Sequence, residues 1–279
     1  MKTLMRNRKA VLAGVIGIVV SAVFFLVPFA FIALMATKDS TDSAKLDFSL
    51  PTHFALFDNL KQVIQARNYM MVVAFINSTI LTVVSVTAMV IFGAMAAFVL
   101  QRRGGRLRVI VNLLVLAGLI IPPAVVPTIW ILQKLGLYKS IPGLIFVEIA
   151  YGLAFSILLF QAFISTVPRE LDEAATIDGA GPIRLFFSVI FPMLRSVIVT
   201  VIILQSVAVF NDFANPLYFA PGDNNATLQL TLFNFQSQFT TQYNLLFTDI
   251  LLVTIPPLIM FLVFNRKIIA GIAAGAVKG

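Results

Sequence analysis

Six long runs of apolar residues dominate the chain, and short polar segments separate them. Each run is close to the ~20 helical residues needed to cross the ~30 Å core of a bilayer. The apolar residues are continuous and do not alternate with polar ones, which favours helices over the strands of a membrane barrel. The pattern predicts an all-α integral membrane protein with six transmembrane helices, at residues 11–35, 71–100, 109–132, 143–164, 196–219 and 246–264.

The first run follows four basic residues, as the apolar part of a secretory signal peptide does. It is longer than the ~7–15 apolar residues of such a peptide, and no A-x-A cleavage site follows it. We therefore expect a retained first helix. Residues 1–70 are predicted to form this helix and an outer loop, 71–264 a five-helix core that includes a cytoplasmic loop at 165–195, and 265–279 a cytoplasmic tail.

The basic residues predict the orientation of the helices. Fourteen of the 20 Lys and Arg residues lie in segments on the same side as the N-terminus, and six lie on the other side. Lys and Arg are enriched in cytoplasmic segments of membrane proteins. Both termini are therefore predicted to face the cytoplasm.

The composition of the chain excludes several classes of function. Hydrophobic residues make up 59% of the chain and charged residues 11%, against ~25% charged in average soluble domains. There is no cysteine and only one histidine, His53, so thiol catalysis, iron–sulfur clusters and histidine metal sites are not expected. The net charge of +8 comes from residues that separate apolar runs, which argues against a nucleic-acid partner.

The polar segments are too short to hold an ATPase. The longest are residues 36–70, 165–195 and 220–245, and none is long enough for an independent domain. The chain also lacks the G-x-x-x-x-G-K-[ST] phosphate loop. If ATP drives transport here, its hydrolysis must occur on another chain. This chain is predicted not to be an enzyme.

The loop between the fourth and fifth spans predicts two short helices. Ser165 and Thr166 are candidate caps for the first, which carries acidic residues in its first turn and ends at Gly179. The second helix has a one-sided apolar stripe, formed by Ile183, Phe186, Phe187, Ile190 and Leu194.

This loop has two interpretations. Its helices could lie on lipid headgroups, but such helices usually carry Lys and Arg on their polar face. The first helix instead carries four acidic residues against Arg169 alone. That balance favours a protein partner over an anionic membrane.

The same loop resembles the EAA motif of bacterial ABC importer permeases, EAA-x3-G-x9-I-x-L-P. The matching residues are Glu173, Ala174, Ala175, Gly179, Val189, Phe191 and Pro192. With Asp178, the string EAATIDGAG is similar to the carbohydrate-uptake branch in particular. Residues 209–213 (VFNDF) resemble the W-N-E/D-F segment of sugar permeases, and residues 275–279 (GAVKG) resemble a carboxyl-terminal sequence found in that branch.

The resemblance implies a type I ABC importer permease fold in the bacterial cytoplasmic membrane. The partners it implies are two cytoplasmic ATPase subunits that carry ATP and Mg, a second permease subunit that is commonly a different chain, and an extracytoplasmic sugar-binding protein. This chain itself would carry no cofactor. Coupling to the ATPase would involve Glu173, Ala174, Ala175, Asp178, Gly179 and Pro192. The implied solute is a sugar, with an oligosaccharide preferred and a glycerol-phosphate-like compound as the alternative.

Polar residues inside the spans have two interpretations as well. Glu148 and Asp212 could face a polar pathway, or could organise the helix bundle by hydrogen bonding. Pro122, Pro123, Pro256 and Pro257 predict kinks or breaks. Amides, hydroxyls and carboxylates beside apolar faces suit a sugar, and the candidates for the pathway are Asn77, Ser78, Tyr151, Gln205, Asn211, Asp212 and Asn215.

Two other classes rank below the importer. An ion-coupled secondary transporter usually has buried acidic residues near the midplane and inverted repeats. A membrane enzyme needs clustered His, Asp or Glu residues near one leaflet. Neither pattern is found in the sequence.

Overall fold

A computed structural model describes the backbone of residues 2–236 and 241–276, and the side chains of 14–106, 108–236 and 241–264. The last residues of the GAVKG sequence lie outside this range. Regular structure in the described part is helical, apart from an isolated bridge between Gln236 and Thr241. The helices are α1 (Lys2–Ala36), α2 (Ser40–Ser43), α3 (Leu56–Arg102), α4 (Arg106–Ile120), α5 (Val125–Lys134), α6 (Ile141–Ile164), α7 (Glu170–Ile177), α8 (Pro182–Arg184), α9 (Phe191–Met193), α10 (Arg195–Phe210), α11 (Ala214–Phe219), α12 (Leu228–Thr231) and α13 (Tyr243–Ala276).

Apolar helices account for the predicted spans in two ways. In the described residues, α1, α3, α6 and α13 are each long and apolar enough to cross a membrane alone. Within α3, residues 66–69 have non-helical backbone angles, so α3 consists of two helical segments joined by a kink. Two further candidates are bent pairs: α4 with α5 at 114°, and the 182–193 segment with α10 at 78°. The all-helical prediction is therefore confirmed, with four single spans and two broken ones as candidates.

The break between α4 and α5 was predicted by two prolines. Ile121 precedes Pro122 and has extended backbone angles (φ −76°, ψ 124°), because a residue before proline is disfavoured in the helical region. Pro122 and Pro123 also lack the N–H groups that would continue the helix. This part of the proline prediction is confirmed.

One expectation about helix continuity was wrong, and a break expected at a second place is absent. The predicted span at 196–219 is interrupted, because α10 ends at Phe210 and α11 begins only at Ala214. Asn211 and Asp212 favour such interruptions, since their short polar side chains compete for backbone hydrogen bonds. Conversely, α13 is not broken at Pro256 and Pro257, in keeping with the tolerance of membrane helices for proline.

The chain divides into two compact units, residues 1–71 with 231–255 and residues 72–230 with 256–279. The first contains a polar network at the end of α1. Buried Asn59 donates through its amide to the carbonyl oxygens of Ala36 (2.9 Å) and Lys38 (2.8 Å). Its oxygen accepts a hydrogen bond from Asn244 (2.8 Å). This side chain therefore joins α1, α3 and α13.

The segment that follows α1 is held by ion pairs. The fully buried Lys38 ammonium contacts Asp47 Oδ1 at 2.7 Å and donates to the Asp47 carbonyl oxygen at 2.8 Å. Hydrogen bonds from Lys38 and Ser49 lower the pKa of the Asp47 carboxyl to about 2. Hydrogen bonds from Lys45 and Thr52 likewise lower the pKa of Asp42. Both carboxylates therefore stabilise the segment above their ordinary pKa, and this contribution is lost as the pH falls through the lowered values.

Small residues bring helices close together in the second unit. A Cβ atom added to Gly93 of α3 would meet Ser156 Cβ of α6 at 3.2 Å. One added to Gly118 of α4 would meet Ala154 Cβ of α6 at 3.4 Å. Gly, Ala and Ser at such contacts let helix backbones approach closely. The core of this unit thus gathers around α6.

Replacing Asn59 tests the network at the end of α1. We expect Asn59→Ala to lower the free energy of unfolding, by about 1–3 kcal/mol for each buried group left unpaired. Gln62→Ala is the matched control, because Gln62 is an exposed amide on the same helix and should change stability by less than about 0.5 kcal/mol. Unfolding of the purified protein in detergent measures both, and equal stabilities would contradict the structural role.

Candidate functional site

The acidic helix α7 begins after a proline-containing turn. Glu170, Asp172 and Glu173 lie in its first turn, where negative charge interacts favourably with the helix dipole. The predicted caps were wrong. Ser165 and Thr166 donate to the carbonyl oxygens of Ala162 and Phe163 at the end of α6 instead, because their hydroxyls lie within reach of the last carbonyls of that helix.

The end of α7 is fixed by a left-handed glycine, as predicted. Gly179 has φ +80°, a backbone conformation that residues with a Cβ atom rarely adopt. Its N–H donates to Thr176 O (3.0 Å), and the N–H of Ala180 donates to Ala175 O (2.9 Å). This pair of bonds is the Schellman motif, which satisfies the last carbonyls of a helix. The helix therefore stops at a defined residue.

The surface around α7 is accessible and partly apolar. No residue of α7 is buried, and the side chain of Ile177 is 86% exposed. Ile183, just beyond the turn, is 74% exposed. The residues predicted to couple lie on this surface: Glu173, Ala174, Asp178, Gly179 and Pro192 are exposed, and Ala175 is half-buried. Exposed isoleucines beside acidic residues favour a protein partner.

The apolar stripe after α8 is only partly confirmed. Phe186, Ile190 and Leu194 are buried, whereas Ile183 and Phe187 are exposed. Residues Leu185–Ile190 form a π-helical turn, whose wider winding brings residues four apart onto one face and turns the others outward. Pro192 follows this turn in the first turn of α9, where the missing N–H of a proline leaves no helical hydrogen bond unmade.

A second group of polar side chains lies where α10 ends. The Oδ1 atom of Asp212 accepts hydrogen bonds from the N–H groups of Ala214 (2.8 Å) and Asn215 (3.2 Å), so Asp212 caps α11. The Asn215 amide donates to Glu148 Oε1 at 3.1 Å. Glu148 is buried in α6, and Asp212 is among the groups that interact with its carboxyl group. These three side chains, separated by up to 67 residues, form one cluster.

The two candidates on α3 bind the backbone of a distant loop. The amide of Asn77 donates to the carbonyl oxygens of Asn224 and Ala226, both at 3.0 Å. The hydroxyl of Ser78 accepts from the N–H of Leu228 at 3.0 Å. Both side chains therefore hold this loop against α3.

The remaining candidates are distributed along α6 and α10. Gln205 donates to Gly152 O (2.8 Å) and Ser156 Oγ (3.0 Å), and so joins these two helices. Tyr151 shares a hydrogen bond of 3.4 Å with Thr128. The exposed Asn211 donates to Val207 O and accepts from Gln229 at 3.2 Å. The structure thus brings Asn211, Asp212 and Asn215 to the end of α10, and Asn77, Ser78, Tyr151 and Gln205 bind other parts of the unit.

No group of three His, Cys, Asp or Glu residues that could hold a metal ion occurs among the described residues. One residue beside α7 was missed by sequence reasoning. Arg102 at the end of α3 forms an ion pair with Asp172, although its sequence position suggested only a role in membrane orientation. The signal available in the sequence was a basic residue at a helix end facing a loop rich in acidic residues, which does not specify the partner.

Comparison with known proteins identifies the family of this chain. Residues 89–272 match the model of the binding-protein-dependent transport system inner membrane component family. The chain belongs to this family. It is therefore a multi-pass component of the cytoplasmic membrane, and its relatives are permease subunits of ABC transporters, which are not enzymes.

Curated relatives match most of the chain. The melibiose/raffinose/stachyose import permease protein MelC of Bacillus subtilis is 34% identical over 74% of this chain and 76% of its own length. The probable starch degradation products transport system permease protein AmyC of Thermoanaerobacterium thermosulfurigenes is 31% identical over 94% of this chain and 95% of its own.

A solved structure supports the fold. A chain of a bacterial ABC transporter involved in the import of the acidic polysaccharide alginate superimposes with a TM-score of 0.80. The match covers 94% of this chain and 97% of that one, at 18% sequence identity. This similarity therefore establishes the architecture of the helices.

Asp212 offers a test of its capping role. We expect Asp212→Ala to lower the free energy of unfolding by about 1 kcal/mol, because α11 loses its cap. Asp212→Asn is the matched control, since an asparagine oxygen accepts the same backbone hydrogen bonds. Thermal unfolding in detergent compares the two variants, and an alanine variant as stable as the wild type would refute the role.

Proposed function

We propose that this chain is a permease subunit of an ABC importer that moves a sugar, with an oligosaccharide as the preferred class. The observation that carries the proposal is an exposed, acidic helix that ends at a left-handed glycine, in a chain of this transport family. The solute class is supported by the names of MelC and AmyC, which specify melibiose, raffinose and stachyose and the products of starch degradation.

The proposed topology has six spans and two cytoplasmic termini. The four single helices and the bent pair of α4 with α5 each supply one span, and α10 with α11 supplies the sixth, within the predicted span at 196–219. The distribution of Lys and Arg supports the orientation, and it puts α7 on the cytoplasmic side. Residues 1–70 would then form the first helix and outer loop, 71–264 the permease core with its loop at 165–195, and 265–279 the tail.

The proposed partners follow from this arrangement. Two cytoplasmic ATPase subunits bind and hydrolyse ATP with Mg, since this sequence has no phosphate loop. The residues that dock one of them are Glu173, Ala174, Ala175, Asp178, Gly179 and Pro192. A second, different permease subunit completes the pathway, and an extracytoplasmic binding protein delivers the sugar. One solved relative is described in complex with an alginate-bound periplasmic protein.

The proposed mechanism is alternating access. Closure of the ATPases displaces α7, and the attached helices rock as rigid bodies to open the pathway to the other side. A short helix with a fixed end transmits such a displacement better than a flexible loop. The exposed Ile177 and Ile183 supply apolar contact area for docking, and Glu173 supplies a charged contact.

The proposed solute pathway runs past the cluster where α10 ends. Asn211, Asp212 and Asn215 lie there, with amide and carboxylate groups suited to sugar hydroxyls. Asn77, Ser78, Tyr151 and Gln205 complete the set of proposed pathway residues. In the structure these four side chains form internal hydrogen bonds, so a sugar would replace or accompany those bonds.

Substitutions in α7 test the coupling role. We expect Glu173→Lys to reverse a charged contact, and Gly179→Val to strain the left-handed turn by about 1–2 kcal/mol. Both variants should insert normally but lose sugar uptake and ATPase recruitment. Uptake by membrane vesicles and co-purification measure this. Gly181→Ala is a suitable control, because Gly181 has ordinary extended angles (φ −68°, ψ 165°) and tolerates a Cβ atom. Normal uptake by both α7 variants would exclude the docking role.

Purification in mild detergent tests the whole assignment. We expect an ATPase and a second permease to co-purify with this chain, because the exposed α7 is proposed to dock an ATPase and the pathway is proposed to need a second permease. Reconstituted with its binding protein, the complex should hydrolyse ATP faster when its sugar is added. Recovery of this chain alone under several gentle conditions, with solute uptake driven by an ion gradient, would support a secondary transporter instead.

A further inference from the structure

The end of α3 contacts the acidic helix α7 through an ion pair. Arg102 Nε lies 2.6 Å from Asp172 Oδ2, and Arg102 Nη2 donates to Asp172 Oδ1 at 3.3 Å. The planar guanidinium group therefore lies against both oxygens of one carboxylate: the Nη2 contact is a hydrogen bond, and the Nε contact is an ion pair without hydrogen-bond geometry. Arg102 is the last residue of α3 and Asp172 lies in the first turn of α7.

The same arginine also holds the turn that leads into α7. Its Nη2 atom donates to the carbonyl oxygen of Val167 at 3.2 Å. Next to it, Arg169 donates to the carbonyl oxygen of Gln101 at 3.3 Å. Two arginines, one on each side of the contact, therefore cross between the end of α3 and the start of α7.

Aromatic packing extends the contact to the other side of the loop. The Arg102 guanidinium lies 5.9 Å from the ring centroid of Phe98, and the Phe98 ring lies 5.6 Å from that of Phe186. Phe186 is buried in the π-helical turn. The last turn of α3 therefore contacts the loop both before and after the exposed tip at Gly179.

Neighbouring acidic residues on α7 have different environments. The side chains of Arg102 and Asp172 are only 14% and 16% exposed, whereas Glu173 is exposed. Water screens a partly buried ion pair less than a surface pair. Removing one of its two partners therefore costs more free energy. Asp172 thus faces inward toward α3, while Glu173 remains accessible to a partner.

We propose that the Arg102–Asp172 ion pair is a positioning strut that makes α7 and the end of α3 move as one body, so that displacement of α7 is delivered to α3. The proposal rests on the docking role of α7 proposed above. Arg102 and Asp172 act by positioning α7. Neither residue needs to contact the ATPase or the solute.

A distance measurement tests the strut without depending on transport. The natural chain has no cysteine, so spin labels can be placed through Arg103→Cys and Thr176→Cys, two exposed positions beside the ion pair. We expect one narrow distance distribution in the assembled complex, with and without ATP. It should broaden or split when Arg102→Met or Asp172→Asn is added, and remain narrow with Arg106→Met, which removes a nearby exposed charge. An unchanged width in the Arg102 and Asp172 variants would overturn the proposal.

The second measurement is the number of sugar molecules taken up per ATP hydrolysed by the reconstituted complex. We expect Arg102→Met and Asp172→Asn to lower this ratio about fivefold or more, while the ATPase subunits still co-purify. Arg102→Lys should recover part of the ratio, because it keeps the charge but loses the two-oxygen geometry. The exchanged pair, Arg102→Asp with Asp172→Arg, should recover more than either single charge reversal.

The outcomes separate the two proposals. A wild-type complex without sugar-stimulated ATP hydrolysis would contradict the proposed function, and the distance distributions would still decide the strut. A coupled wild type whose Arg102 and Asp172 variants keep the same uptake ratio would overturn the strut alone. Loss of ATPase co-purification in these variants would also overturn it, because the ion pair would then be needed for docking itself.

Discussion

The fold of this chain depends on satisfying the backbone hydrogen bonds of residues in apolar surroundings. Helices meet that need within themselves, so every interruption requires a local solution. At 121–124 the prolines remove donors, at 211–213 Asp212 accepts the first N–H groups of α11, and at Gly179 the Schellman bonds satisfy the end of α7. At 211–213 the interruption carries polar side chains, because the Asp212 carboxylate supplies the acceptor with which α11 begins.

The sequence predicted features that depend on local chemistry. Continuous apolar runs indicate where the apolar helices lie, Pro122 and Pro123 indicate one break, and Gly179 with the acidic first turn indicates the limits of α7. Each follows from a preference of a few neighbouring residues. The resemblance to the EAA motif then identified the correct family, since its spacing is specific over twenty residues.

Other features depend on contacts between residues that are distant in sequence, or on the choice between two similar helix geometries. The ion pair of Arg102 with Asp172 joins residues 70 positions apart, and nothing in either neighbourhood specifies the other. The π-helical turn at Leu185–Ile190 differs from an α-helix by a small change in winding, which apolar periodicity does not resolve. Asn77 and Ser78 looked like free polar groups, but their partners are backbone atoms about 150 residues away.

The close packing around α6 has a consequence for how the second unit can deform. Gly93 and Ser156 already approach so closely that one added methyl group would meet its neighbour at 3.2 Å, and Gly118 meets Ala154 almost as closely. Interlocked helices of this kind resist sliding, since any axial shift drives a larger side chain into the place of a smaller one. The parts of α3, α4 and α6 that meet at Gly93 and Gly118 therefore pack as a stiff block, and the bend at 121–124, which directly follows α4, is where the chain leaves it.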